Sequence, residues 1–199
     1  MRWILPAVSF VVLCAAVTTQ SERTASVSAA PIATARVAGR DPVSAGAARP
    51  APAWQNTSWL NTDAPISLSA LRGRVVLLNF WVFTCHNCTN TLPALRVLDD
   101  QYRKRGLSII GIHTPEFPPY AGEHDRDNVA RALVKHRLSY PIAQDNDRAT
   151  WHRYGIRYWP SFVLIDKNGQ IRHEGYGEFH VGDASHADWE RRINALLAE

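Results

Sequence analysis

From Val75 to Trp81 the chain reads Val-Val-Leu-Leu-Asn-Phe-Trp, apolar at nearly every position, as a strand buried on both faces of a sheet should be. The period then changes. Leu92, Leu95, Leu98 and Tyr102 recur at helical spacing, with Arg96, Asp99 and Arg103 on the opposite face, which predicts an amphipathic helix ended by Gly106. Leu107–Ile112 reads as a second buried strand. The segment His113–Asp125 carries three Pro and one Gly and predicts no regular structure. A helix capped by Asp127 follows, with Val129, Leu133 and His136 on one side, then a short strand over Tyr140–Gln144. Asp145–Gly155 reads as a helix closed by its glycine. Pro160–Asp166 and Gln170–Tyr176, separated by Lys-Asn-Gly, predict a hairpin. Ser185 caps a last helix, with Asp188 three residues on and Trp189, Ile193, Leu196 and Leu197 facing inward. Strands alternating with helices and finishing in a hairpin imply an α/β domain, a mixed sheet with helices on both faces.

The first half-hundred residues look different. Arg2 and the apolar run Ile4–Val17 have the length of a signal-peptide core and are short for a membrane span, so residues 1–20 read as an export signal, cleaved or retained as an anchor. Residues 21–52 are rich in Ala, Ser, Pro, Thr and Arg and hold no aromatic side chain. Such a segment buries too little apolar surface to offset its ordering entropy, and it reads as a disordered tether. The remainder, 53–199, is one domain. Five Arg stand against Glu22 and Asp41 in the first 52 residues, which accounts for +3 of the net charge of +4. The domain itself is nearly neutral, so the basic balance is no argument for a nucleic-acid partner.

Cys85 and Cys88, in Thr-Cys-His-Asn-Cys, carry the candidate chemistry. A structural zinc site uses four ligands, and beyond Cys14 in the leader these two are the only cysteines. A bridge closing so short a loop removes little unfolded-state entropy, which argues against a structural staple. A reactive pair fits better. A thiolate at a helix N-terminus is stabilised by unpaired N–H groups and the dipole, and a second thiol one turn along resolves mixed disulfides quickly.

Phe-Trp-Val-Phe-Thr-Cys-His-Asn-Cys, Pro93, Tyr-Trp-Pro-Ser-Phe-Val-Leu-Ile-Asp and the terminal hairpin and helix together resemble the thioredoxin fold. The chain is most similar to the exported thiol-disulfide oxidoreductases of the TlpA/ResA type, in particular the thioredoxin domain of the DipZ group. The resemblance runs from about Trp59 to Leu197. It implies an N-terminal β extension, and an αβ insertion over Tyr120–Gln144. It implies Cys85 as the attacking nucleophile, Cys88 as the resolving thiol, and Pro160 as a cis-proline opposite them that turns the Trp159 backbone toward substrate. Glu116 stands where the ResA-like branch often places an acid near the site; it is otherwise a solvated loop carboxylate. Trp81, Phe83, Tyr158 and Trp159 wall the site and His86 flanks it, although Trp81 reads equally as core. The expected partners are disulfides or thiols of exported proteins and a membrane-embedded electron donor, in an extracytoplasmic compartment, with no cofactor and no metal. Thr84 and the His86–Asn87 pair depart from the Trp-Cys-Pro-Pro-Cys version. Two other classes remain. Thiol peroxidases of this fold carry Pro-x-x-x-Thr/Ser-x-x-Cys, whose proline is missing here, and copper-binding assembly factors use CxxxC with a downstream His. A redox-sensing domain without turnover is a third.

Overall fold

The computed structural model describes residues 43–44 and 48–199. The expected leader, and most of the expected tether, lie outside them. No helix among the described residues is long and apolar enough to cross a membrane.

The apolar run Val75–Trp81 forms β4 at the centre of the sheet, buried at every position. It lies parallel to β5 (Leu107–His113), in register from Val75↔Leu107 to Trp81↔His113. On its other side it is antiparallel to β7 (Ser161–Ile165), from Val76↔Ile165 to Phe80↔Ser161. β6 (Ile142–Gln144) extends the sheet parallel to β5, and β8 (Gln170–Tyr176) completes the predicted hairpin with β7. The short β3 (Trp59–Leu60) covers the edge of β6.

Because successive strand residues point to opposite faces, β4 feeds two cores. Val75, Leu77 and Trp81 pack with Leu92, Leu95 and Leu98 of α1 (His86–Tyr102), Val129 and Leu133 of α2 (Arg126–His136), and Trp189, Ile193 and Leu196 of α4 (Ala184–Ala198). Val76, Leu78 and Phe80 pack instead with Trp54, Trp59, Leu68 and the aromatic side chains of Trp151 and Tyr154, around α3 (Ala149–Arg153). Three helices thus cover one face, while α3 and an extended N-terminal segment cover the other. This is the thioredoxin-like arrangement.

The expectations fail at particular places. The tether does not run free to residue 52: β1 (Val43–Ser44) and β2 (Arg49–Pro50) pair antiparallel with β8, and Arg49 meets Glu174 at 2.8 Å. Edge-strand N–H and C=O groups accept any extended backbone, so pairing needs none of the apolar side chains that composition counts. The cap of α2 is Asp125, which accepts the N–H of Asp127 at 2.7 Å and of Asn128 at 3.3 Å. The cap of α4 is Asp183, which accepts the N–H of His186, in place of Ser185. Both caps have the extended backbone that aims a side chain at the first free N–H groups, and a carboxylate suits the positive helix end. The helix expected over 145–155 shrinks to five residues, because Asp145 and Asp147 bond the N–H groups of Thr150, Trp151 and Ala149 and hold the preceding chain as a turn. His113 continues β5, and Pro119–Ala121 make one 3-10 turn inside the loop expected to be irregular.

Candidate active site

Three connections leave the same end of the sheet: Val82–Cys85 after β4, Thr114–Phe117 after β5, and Tyr158–Pro160 before β7. The registers Trp81↔His113 and Phe80↔Ser161 make them neighbours. Cys85 is the N-cap of α1, with extended backbone (φ −74°, ψ 115°) and its Sγ accepting the N–H of Cys88 at 3.2 Å. Its own N–H closes the turn onto Val82 O. Cys88 lies one turn in and is only 1% exposed, whereas Cys85 is half-buried. The two are joined in a disulfide, Cα atoms 5.2 Å apart. Pro93 lies inside α1 and takes away the N–H that would bond Thr89 O.

The Trp159–Pro160 bond is cis, the conformation the resemblance implies. The Trp159 indole turns away from solvent: it stacks on Trp151 at 4.0 Å between centroids, lies under the Arg148 guanidinium at 5.3 Å, and donates to Thr114 O at 3.1 Å. Tyr158, next to it, is 56% exposed and pairs with Tyr176. Phe83 is half-buried and stacks on His113 at 5.4 Å. Trp81 is fully buried, edge-on to the same imidazole, so its side chain belongs to the core. His86 is exposed at the helix start.

Glu116 is also exposed, and only its main chain takes part in the site's bonding. The acid brought against the CxxC segment is Glu123, which is fully buried. One of its oxygens accepts the Thr84 hydroxyl, and the other accepts the N–H groups of Glu116 (2.6 Å) and Phe117 (2.8 Å). Neither Glu123 nor Arg148 was singled out in the sequence, the one lying in the loop over 113–125 and the other in the segment read as a helix. A glutamate two residues before a capping aspartate, with Thr beside the cysteine to receive, was the only available signal.

His113 is the other group that sequence reading passed over. Burial pushes its imidazole down to about 3, partly offset by the nearby main chain of the same residue and aided by His124 nearby. Neither ring nitrogen has a partner among the described residues. Among those residues no group of three or more His, Cys, Asp and Glu is placed to hold a metal ion.

A disulfide set at the first turn of a helix, one sulfur reachable and the other enclosed, on a thioredoxin-like sheet, is built for exchange. Fold and site together are those of a thioredoxin-like protein with a CxxC disulfide. More narrowly, the chain belongs to the AhpC/TSA family, whose model matches residues 47–174. It is 47% identical over 124 residues to protein DipZ of Mycobacterium tuberculosis; the match spans 61% of this chain and only 17% of DipZ. It is 29% identical over 145 residues to the thiol-disulfide oxidoreductase YkuV of Bacillus subtilis, covering 71% of this chain and 89% of YkuV. In three dimensions it resembles the crystal structure of a thiol:disulfide interchange protein DsbE from Chlorobium tepidum, with a TM-score of 0.66 at 22% identity, over 77% of this chain and 99% of the other. That likeness concerns the fold alone.

Proposed function

We propose that Cys85 and Cys88 exchange thiols and disulfides with exported proteins, and that the chain acts as a reductant. The observation that carries the reading is the unequal placement of the two sulfurs: Cys85 reachable at a helix N-terminus, Cys88 enclosed beside it. In the reduced protein the Cys85 thiolate is favoured by the dipole and by the free N–H groups of the first turn. It attacks a substrate disulfide, one substrate sulfur leaves as thiolate, and Cys88 then attacks Cys85 Sγ. The products are the Cys85–Cys88 disulfide and a substrate carrying two thiols. Trp159 and Pro160 present extended backbone to the substrate, and Phe83 and His86 flank it. Glu123 takes over the place proposed for Glu116, since it is the acid held against Thr84. The next electrons come from a membrane-embedded donor, and the N-terminal leader carries the domain out of the cytoplasm, cleaved or kept as a tether.

The test is insulin-type disulfide reduction by the full chain. Cys85→Ser abolishes it, and Cys88→Ser accumulates mixed disulfides with substrate. Equilibration with glutathione buffers gives a potential nearer roughly −270 mV than roughly −120 mV. A value near the latter makes the protein an oxidant. Thiol alkylation at mildly acidic pH that labels Cys88 first reverses the two roles.

The peroxidase reading is the closest rival, because thiol peroxidases share this fold and also act through a cysteine. Leu78 and Val82 stand where the peroxidase loop carries Pro and Thr/Ser. Peroxide consumption that survives in Cys88→Ser but not in Cys85→Ser would favour it. Copper binding by the reduced pair tests the assembly-factor reading.

A further inference from the structure

The loop after β5 combines a fixed main chain with an exposed aromatic side chain. From one side Glu123 accepts the N–H groups of Glu116 and Phe117. From the other, the Arg148 guanidinium donates to Pro115 O (3.0 and 2.7 Å) and Glu116 O (2.8 Å), and Trp159 Nε1 donates to Thr114 O. The loop is therefore tied both to the CxxC segment, through Glu123 and Thr84, and to the cis-proline segment, through Trp159. Burying a carboxylate is costly unless bonds replace its water, and the bonds of Glu123 all serve this junction. Yet Phe117, whose N–H is one of those held, leaves its ring 50% exposed. Single exposed aromatics are ordinary on protein surfaces. One whose backbone is anchored to both walls of a redox site is a preorganised contact, since little freedom is lost when it binds.

We propose that Phe117 is a specificity-determining residue that contacts an apolar side chain adjoining the cysteine of a polypeptide disulfide. Glu123 and Arg148 are then positioning residues that hold its loop. The inference rests on the oxidoreductase reading above. A substrate chain whose sulfur is at Cys85 advances about 3.3–3.6 Å per residue, and Phe117 is joined to the residue beside Cys85 through Glu123, which bonds both the Thr84 hydroxyl and the Phe117 N–H. The Phe117 ring offers apolar area and no hydrogen bond, so it rewards an apolar neighbour. The exposed Glu116 carboxylate beside it repels an acidic one, which sets the discrimination from both directions.

The experiment uses the reduced full chain and two peptide disulfides that are identical except for Leu or Asp after the cysteine. The expected kcat/KM ratio favours Leu by about tenfold, the size of a modest apolar contact. Phe117→Ser, which alters an exposed side chain and leaves the fold intact, cuts the ratio severalfold through a loss on the Leu peptide, leaving the part that Glu116 sets. Glu123→Ala does the same by releasing the loop. Glu123→Gln keeps the ratio, because its amide oxygen accepts both N–H groups and its NH2 donates to the Thr84 hydroxyl. An unchanged ratio in Phe117→Ser, or an equal loss on both peptides, overturns the proposal. If Glu123→Ala fails to fold, Arg148→Gln gives the same readout on the loop's other anchor. A wild-type chain that reduces neither peptide refutes the oxidoreductase reading; one that reduces both without preference refutes only this inference.

Discussion

The two faces of β4 are made from one apolar run, but they treat polar groups differently. Toward α3, polar tips find acceptors. Trp54 Nε1 donates to Ile66 O at 2.6 Å, Trp59 Nε1 to Asn56 O at 2.7 Å, and the Tyr154 hydroxyl to Pro52 O at 2.6 Å. The buried Asp145 carboxylate accepts from Thr150 N, Trp151 N, Asn56 and Thr114. Toward α1, the side chain of Asn79, the Trp81 indole N–H, the Tyr140 hydroxyl and both His113 nitrogens have no partner among the described residues. Burial raises the Tyr140 pKa, and the nearby Asn79 side chain, short of hydrogen-bonding geometry, offsets this only in part. Unsatisfied buried groups cost about 1–3 kcal/mol each, and native proteins keep them mostly where function requires it. The face behind the Cys85–Cys88 helix therefore holds the unpartnered groups next to β4, although farther along α1 the polar tips of Thr91, Asp99 and Tyr102 are bonded.

The largest expected effect lies on the bonded face. Asp145→Ala leaves the buried N–H groups of Thr150 and Trp151 without acceptors and frees the turn that starts α3. Two orphaned donors at ~1–3 kcal/mol each give a loss of about 4 kcal/mol, read from urea denaturation midpoints at constant m-value. A loss under about 1 kcal/mol would mean that this face is not where the stability resides.

The next effect comes from the site face and depends on pH. His113 folds with its pKa lowered to about 3 by burial, so the native state holds it neutral. Its contribution is complete above the unfolded value of about 6.5 and falls as pH drops below that, because the unfolded chain then binds the extra proton. At pH 5 the expected loss is about 2 kcal/mol relative to pH 7. His136 and His173 are shifted in the same direction by partial burial and add smaller amounts. Denaturation of wild type and His113→Phe at pH 7 and pH 5 isolates the difference. An equally steep acid limb in the variant assigns it to other groups.

Much of this architecture was legible because burial dictates it. β4, β5 and the α1 face are specified by side-chain periodicity, and Leu92, Leu95, Leu98 and Tyr102 are all buried as their spacing requires. Cys85 and Cys88 at a helix start were equally legible, since position, spacing and motif agree. What escaped depends on bonds rather than on burial of apolar area. β1 and β2 pair through backbone alone, and the capping aspartates at 125 and 183 compete with nearby polar residues that composition cannot rank. Glu123 and Arg148 look like any loop charge until the fold shows which N–H and C=O groups they meet. Glu116, assigned by resemblance, lies three residues past His113 in the right loop but faces solvent, because a loop residue's direction is not encoded in its register.

The smallest effect is the most discriminating, because the two faces predict opposite signs. Trp54→Phe removes a donor from the bonded face and leaves Ile66 O unmet, so it should destabilise by about 1 kcal/mol. Asn79→Leu removes two unpartnered polar atoms from the site face and substitutes a side chain of similar size among Leu77, Trp81 and Tyr140. Replacing an unsatisfied polar group with an apolar one of matching shape is neutral to favourable, and here the gain should be about 1 kcal/mol. The two midpoints, measured under one set of conditions, should move apart. A destabilised Asn79→Leu would show that Asn79 is bonded in solution. The asymmetry between the faces would then reduce to packing, with no polar strain held behind the redox helix.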